Sequence, residues 1–151
     1  MSDEKQGQEA RVVNRRHFTV MEANQTLPRL GRLMHALQHK LQWMSSHQPT
    51  EGQAAAEHHI VNEGPVDPHY FRSLVTVRRI VKDVEAMGVQ IKDARSGLVD
   101  FPSRLYGRDV LLCWRLGESK VRFWHDPDSG YSGRQPLPDT ETRGPDSGEG
   151  N

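Results

Sequence analysis

An imidazole followed within three residues by two carboxylates, His125-Asp126-Pro127-Asp128, is the segment of this chain best equipped for chemistry. Histidine titrates near neutral pH, so His125 could serve as a general base, with Glu118, Asp126 or Asp128 as its companion carboxylate. His125, Asp126 and Asp128 also make a weak nitrogen and oxygen donor set for a divalent metal. The Asp-x-Asp-x-Gly spacing from Asp126 to Gly130 follows the opening of a calcium loop. The twelfth position, which must supply a bidentate acid, is Leu137, and an Asp-Pro turn explains the run without a cation. Cys113 is the single cysteine. A nucleophilic thiol needs a base and a lowered pKa, and the expected neighbours of Cys113 pull both ways, so it reads as a structural thiol. His35 and His39 have i, i+4 spacing, but Ala36 stands where a metalloprotease helix carries glutamate. His58-His59 sits in a polar stretch and reads as solvated. There is no glycine-rich phosphate loop and no G-x-S-x-G elbow. No divalent metal or other cofactor is therefore required, although the His125 cluster leaves a metal open.

The elements that must position these residues fall into two halves. Phe18-Thr19-x-x-Glu22-Ala23 is a capping box with a hydrophobic staple. Pro28 is badly placed in a helix interior, which predicts a short helix over 19–25 and a longer one over 27–45. Leu30, Leu33, Met34, Leu37, Leu41 and Met44 recur at three- and four-residue steps on the longer helix. A polar connector covers 46–66. Asp67-Pro68 then opens a helix over 67–87, with Phe71, Leu74, Val77 or Arg78, Val81, Val84 and Met87 as its stripe and Gly88 as the stop. After Gly88 the period drops to two, and short strands are predicted over 89–93, 98–103, 109–116 and 120–126, with turn-rich links. The fold class is α+β: an amphipathic two-helix hairpin, with a short N-terminal helix, packed on a three- to four-stranded antiparallel β-meander.

Register follows from the turns. Tyr106-Gly107 at the centre of a tight turn sets Phe101 opposite Leu112, Asp100 opposite Cys113 and Val99 opposite Trp114. Glu118-Ser119 at the centre of the next sets Trp114 opposite Phe123, Cys113 opposite Trp124 and Leu112 opposite His125. Directly opposed residues share a face. Val99, Phe101, Leu112, Trp114, Leu116, Val121, Phe123 and His125 then form the core face, and Asp100, Cys113, Arg115, Arg122 and Trp124 the other. An odd-length loop would flip a strand. Arginine and tryptophan together are the residues enriched at binding hot spots; the same residues also suit a solvated face on which the indole shields arginine stems.

With 20 basic and 20 acidic residues the chain has no net charge, so no global field favours nucleic acid or an anionic membrane. Only 34% of the residues are apolar and mean hydropathy is -0.76. The polar excess sits in a disordered arm over 1–16, in the connector, and in a disordered tail over 136–151, leaving a single domain over 17–135. Apolar runs are too short for a membrane span. A lone cysteine fits a reducing, cytoplasmic setting.

Several of these segments act as motifs in combination: Phe18-Thr19-x-x-Glu22-Ala23-Asn24-x-x-Leu27-Pro28, Gly97-Leu98-Val99-Asp100-Phe101-Pro102, Cys113-Trp114-Arg115-x-Gly117-Glu118, Phe123-Trp124-His125 and Gly130-x-x-Gly133-Arg134-Gln135-Pro136. Together, over about residues 17–138, the chain resembles a bacterial family of uncharacterised proteins, the "domain of unknown function 2203" family. The resemblance implies a small helical hairpin plus sheet and brings no activity with it. The expected function is a non-enzymatic binding or regulatory module. Asp100, Arg115, Arg122, Trp124, Arg134 and Gln135 would recognise a small anionic ligand or an acidic segment of a protein partner. The helical hairpin is expected to pair two copies into a homodimer. The alternative is a small metal-dependent or His-based enzyme built on His125 and nearby carboxylates.

Overall fold

A computed structural model describes residues 16–49 and 67–138. The arm up to residue 15, the connector over 50–66 and the tail over 139–151 lie outside the described residues. Thr19 caps the first helix: the Glu22 amide donates to Thr19 Oγ1 at 3.1 Å and the Thr19 amide donates to Glu22 Oε1 at 3.0 Å. Helix α1 then runs Val20–Ser46 without a break, so the two helices expected over 19–25 and 27–45 are one. Pro28 removes one backbone bond, but Ala23, Leu30, Met34 and Leu37 on either side of it lie along a single buried stripe. Burying that continuous stripe outweighs the roughly 3 kcal/mol that an interior proline costs.

Helix α2, Pro68–Ala86, starts where Asp67 accepts from the His69 amide at 2.9 Å. It ends before Gly88, whose φ of +89° favours glycine. Val84 of the expected stripe is buried and Val77, Val81 and Met87 pack against the core, but the first turns depart from it. Ile80 and Val84 are buried with Ser73, whereas Phe71 and Leu74 are exposed. Ser73, Ile80 and Val84 share one side of the helix at i, i+7 and i+11, and that side turns Phe71 outward.

The sheet has five antiparallel strands in sequence order: β1 Gln90–Asp93, β2 Leu98–Leu105, β3 Arg108–Arg115, β4 Phe123–His125 and β5 Gln135–Pro136. This is the expected α+β meander with one more strand. The tail expected from residue 136 is ordered through its first residues: Trp124 pairs with Gln135, and Leu137 is buried in the core. Tyr106 (φ 55°) and Gly107 (φ 75°) make the two-residue turn between β2 and β3. The register there is the expected one, with Asp100 opposite Cys113 and Phe101 opposite Leu112. Gly97, at φ +72°, lies so close to Leu116 that an added Cβ would stand 2.4 Å from the leucine Cβ, so only glycine fits.

The β3–β4 pairing is shifted by one residue from expectation. Cys113 faces Phe123, Leu112 faces Trp124 and Leu111 faces His125. The link is a wide loop over 116–122 in place of a tight turn. The Glu118 amide bonds the Arg115 carbonyl, and Glu118 Oε1 accepts from the Arg115 amide at 2.7 Å. The Val121 amide donates to Asn24 Oδ1 of α1 at 2.8 Å, away from the sheet. That capture leaves an odd count in the loop and flips the short last strand. Trp124 therefore joins Val99, Phe101, Leu112 and Trp114 in the core under the helices. Phe123 and His125 move to the face that carries Asp100 and Cys113. Among the described residues, no helix is long and apolar enough to cross a membrane.

Candidate functional site

Three neighbouring strands each place one buried ionisable side chain on the face turned away from the helices. Asp100 comes from β2, Cys113 directly opposite it from β3, and His125 from β4. Their exposures are 1%, 0% and 2%. One donor atom from each (a carboxylate oxygen, the sulfur and a ring nitrogen) lies within 4.8 Å of the other two.

The imidazole is fixed by two contacts. Nδ1 is 2.8 Å from the Asp126 carbonyl oxygen, and Nε2 is 3.0 Å from Asp100 Oδ2. A carbonyl oxygen can only accept, so Nδ1 carries the proton and donates it there. That leaves Nε2 aimed at Asp100 and Cys113. The second carboxylate oxygen, Asp100 Oδ1, is buried with no hydrogen-bond partner. Buried polar atoms are nearly always paired, and a buried carboxylate half-paired in this way is costly.

Burial, and next the Asp100 carboxylate, push the Cys113 thiol up to about 11; Arg134 pulls the other way. With an ordinary value of 9.0 in the unfolded chain, the folded thiol keeps its proton where the unfolded one has lost it. Metal-free protein is thus expected to hold full stability below about pH 9 and to lose about 2–3 kcal/mol as pH rises towards 11. Urea unfolding across that range checks this; Cys113→Ala should flatten the slope, and a slope that survives in the variant places its origin elsewhere.

The segment after β4 returns across the same face. Arg134 Nη2 pairs with Glu118 Oε1 and lies 3.4 Å from the Cys113 carbonyl oxygen. Its guanidinium carbon sits 3.9 Å above the Phe123 ring. The return thus sets Arg134 beside Glu118.

The other expected binding residues do not come together. Trp124 is in the core, with the Arg108 guanidinium 5.4 Å from its ring. Arg115 is exposed at the end of β3, and Arg122 lies outside the strands, its Nη2 3.4 Å from Ser119 Oγ. Arg115 and Arg122 are therefore not paired across the sheet. Gln135 is exposed on β5. Of the weak metal set, His125 is buried, Asp126 turns its carboxylate to Arg108 at 3.5 Å, and Asp128 is exposed. Glu118 pairs with Arg134 and makes no contact with His125. Sequence reasoning named Asp100, Cys113 and His125 separately but put the histidine on the opposite face. The missed signal is the parity of the 116–122 loop.

A family model described as "Uncharacterized conserved protein (DUF2203)" matches residues 16–137, which include all three donors. No curated protein and no solved structure matches the chain.

Proposed function

Since the chain belongs to DUF2203, a family whose description names no activity, its function is read from its own site, and we propose that it is a metal-binding regulatory module holding one zinc-class divalent cation between Asp100, Cys113 and His125. The observation that carries this reading is the convergence of three buried donors within 4.8 Å, one of them a carboxylate with an unpartnered oxygen.

The donor chemistry supports a borderline-soft metal. Thiolate, imidazole and carboxylate together suit zinc or cobalt, whereas magnesium and calcium want oxygen alone. Donors on one zinc ion lie about 2.0–2.3 Å from it, hence about 3.3–3.8 Å from each other. The Nε2–Oδ2 pair, at 3.0 Å, would open slightly, and the widest donor pair, up to 4.8 Å apart, would close by about one ångström, both within reach of side-chain rotation. The Nδ1–H bond to the Asp126 carbonyl is the kind of outer contact that fixes a ligating histidine. Bound metal would give Asp100 Oδ1 a partner, take the Cys113 proton and tie β2, β3 and β4 together. Burial of all three donors favours binding over turnover of a large substrate. A reducing bacterial cytoplasm goes with this reading, since Cys113 has to remain a thiol.

The test is metal content and titration on the full chain purified without chelators. One zinc per chain is expected, and cobalt should give a thiolate-to-metal absorption band. Cys113→Ser and Asp100→Asn should each lose the cation while Asp128→Asn keeps it. A chain that takes up neither metal, or whose uptake ignores Cys113→Ser, sinks the proposal.

A further inference from the structure

Among the described residues nothing covers the outer side of α2, and its two halves differ in chemistry. Helical spacing puts Phe71, Val75, Arg78 and Lys82 on one ridge at i, i+4, i+7 and i+11. Leu74 flanks it on one side and Arg79 on the other. Phe71, Val75 and Leu74 are 58%, 43% and 39% exposed. Arg78, Arg79 and Lys82 are exposed, and no ion pair among the described residues uses them. The ridge thus presents an apolar half nearer the start of α2 and a cationic half nearer its end.

We propose that this ridge docks an acidic, apolar-bearing helical segment of a partner protein. Apolar side chains of the segment cover Phe71, Leu74 and Val75, and its carboxylates meet Arg78, Arg79 and Lys82. Charge complementarity selects this occupant. A second copy docked antiparallel about the middle of the ridge would set the cations of each against the apolar half of the other and bring no carboxylate of the ridge to meet them. A nucleic acid would use the cations and leave the three apolar side chains uncovered. The surface is separate from the Asp100–Cys113–His125 cluster, which faces away from the helices.

Fluorescence anisotropy on the full chain tests this with a synthetic amphipathic helix, leucine on one face and glutamate on the other, at about 0.1 M salt. The acidic peptide is expected to bind and the same peptide with lysine for glutamate not to bind. Arg78→Glu with Arg79→Glu, and separately Phe71→Ser with Leu74→Ser, should each weaken binding about tenfold or more. These side chains are exposed, so thermal unfolding should show the variants folded. The inference is overturned if the acidic peptide fails to bind, or if the Phe71→Ser, Leu74→Ser variant binds it as before. It is also overturned if a mixed-sequence DNA duplex competes equally, or if native mass spectrometry shows a dimer that Phe71→Ser dissociates.

Discussion

His125→Ala is expected to destabilise the metal-free protein by about 3–5 kcal/mol. The imidazole and the Asp100 carboxylate are 3.0 Å apart with side chains 3% and 2% exposed. Because Nδ1 already donates to the Asp126 carbonyl, the contact attracts only with a second proton between Nε2 and Oδ2, and that pair formed at a desolvation cost both groups have already incurred. Removing the ring leaves Asp100 buried with neither oxygen partnered, because Oδ1 has no partner to begin with. The Asp126 carbonyl that Nδ1 had contacted still accepts from the Ser129 amide and Ser129 Oγ, each at 3.1 Å, so it adds little to the loss. The penalty comes mainly from the stranded carboxylate, and that can be isolated. Adding Asp100→Asn to His125→Ala should recover part of the loss, so the double variant is less destabilised than the sum of the singles. Urea unfolding of the four proteins measures the coupling. A cost below about 1 kcal/mol for His125→Ala would mean that the carboxylate finds water or another donor, and the buried pair would not be what holds these strands.

Local chemistry made much of the frame legible. Thr19 and Glu22 are three residues apart, so the capping box depends on nothing distant. Asp67-Pro68 and Gly88 mark the ends of α2 by the same kind of short-range rule. Tyr106-Gly107 suits a two-residue turn and fixes the β2–β3 register, which pairs Asp100 with Cys113. Where reading failed, a long-range contact decided. Nothing near Val121 in sequence says that its amide will bond Asn24, 97 residues earlier. Nothing near Pro28 says that the residues on both sides of it will share one buried stripe, although the apolar spacing through residues 23 to 44 was there to be weighed against the proline. β5 is only two residues long, and Gln135-Pro136 has no strand pattern of its own; it is held by pairing to β4. Phe71 and Leu74 fit the helical period, but the period leaves open which side of a short helix meets the core, and Ser73 took that place.

The same one-residue shift yields the second large effect. Trp124→Ala should destabilise the protein by about 3–5 kcal/mol, because the indole is 6% exposed in the core beneath α1 and α2. Phe123→Ala should cost less, about 1 kcal/mol or somewhat more, since that ring is only half-buried on the opposite face beneath Arg134. The order of the two losses reads the register directly. With Cys113 opposite Trp124, phenylalanine would be the core residue and tryptophan the surface one, and the two costs would exchange. Chemical denaturation of both variants is enough to decide. The outcome also bears on the site, because residues two apart on a strand share a face. Whichever parity turns Trp124 into the core turns Phe123 and His125 out of it together, and only that parity lets the imidazole reach across β3 to Asp100. A larger loss for Phe123→Ala would therefore remove the donor cluster along with the register, however sound the chemistry of its three residues.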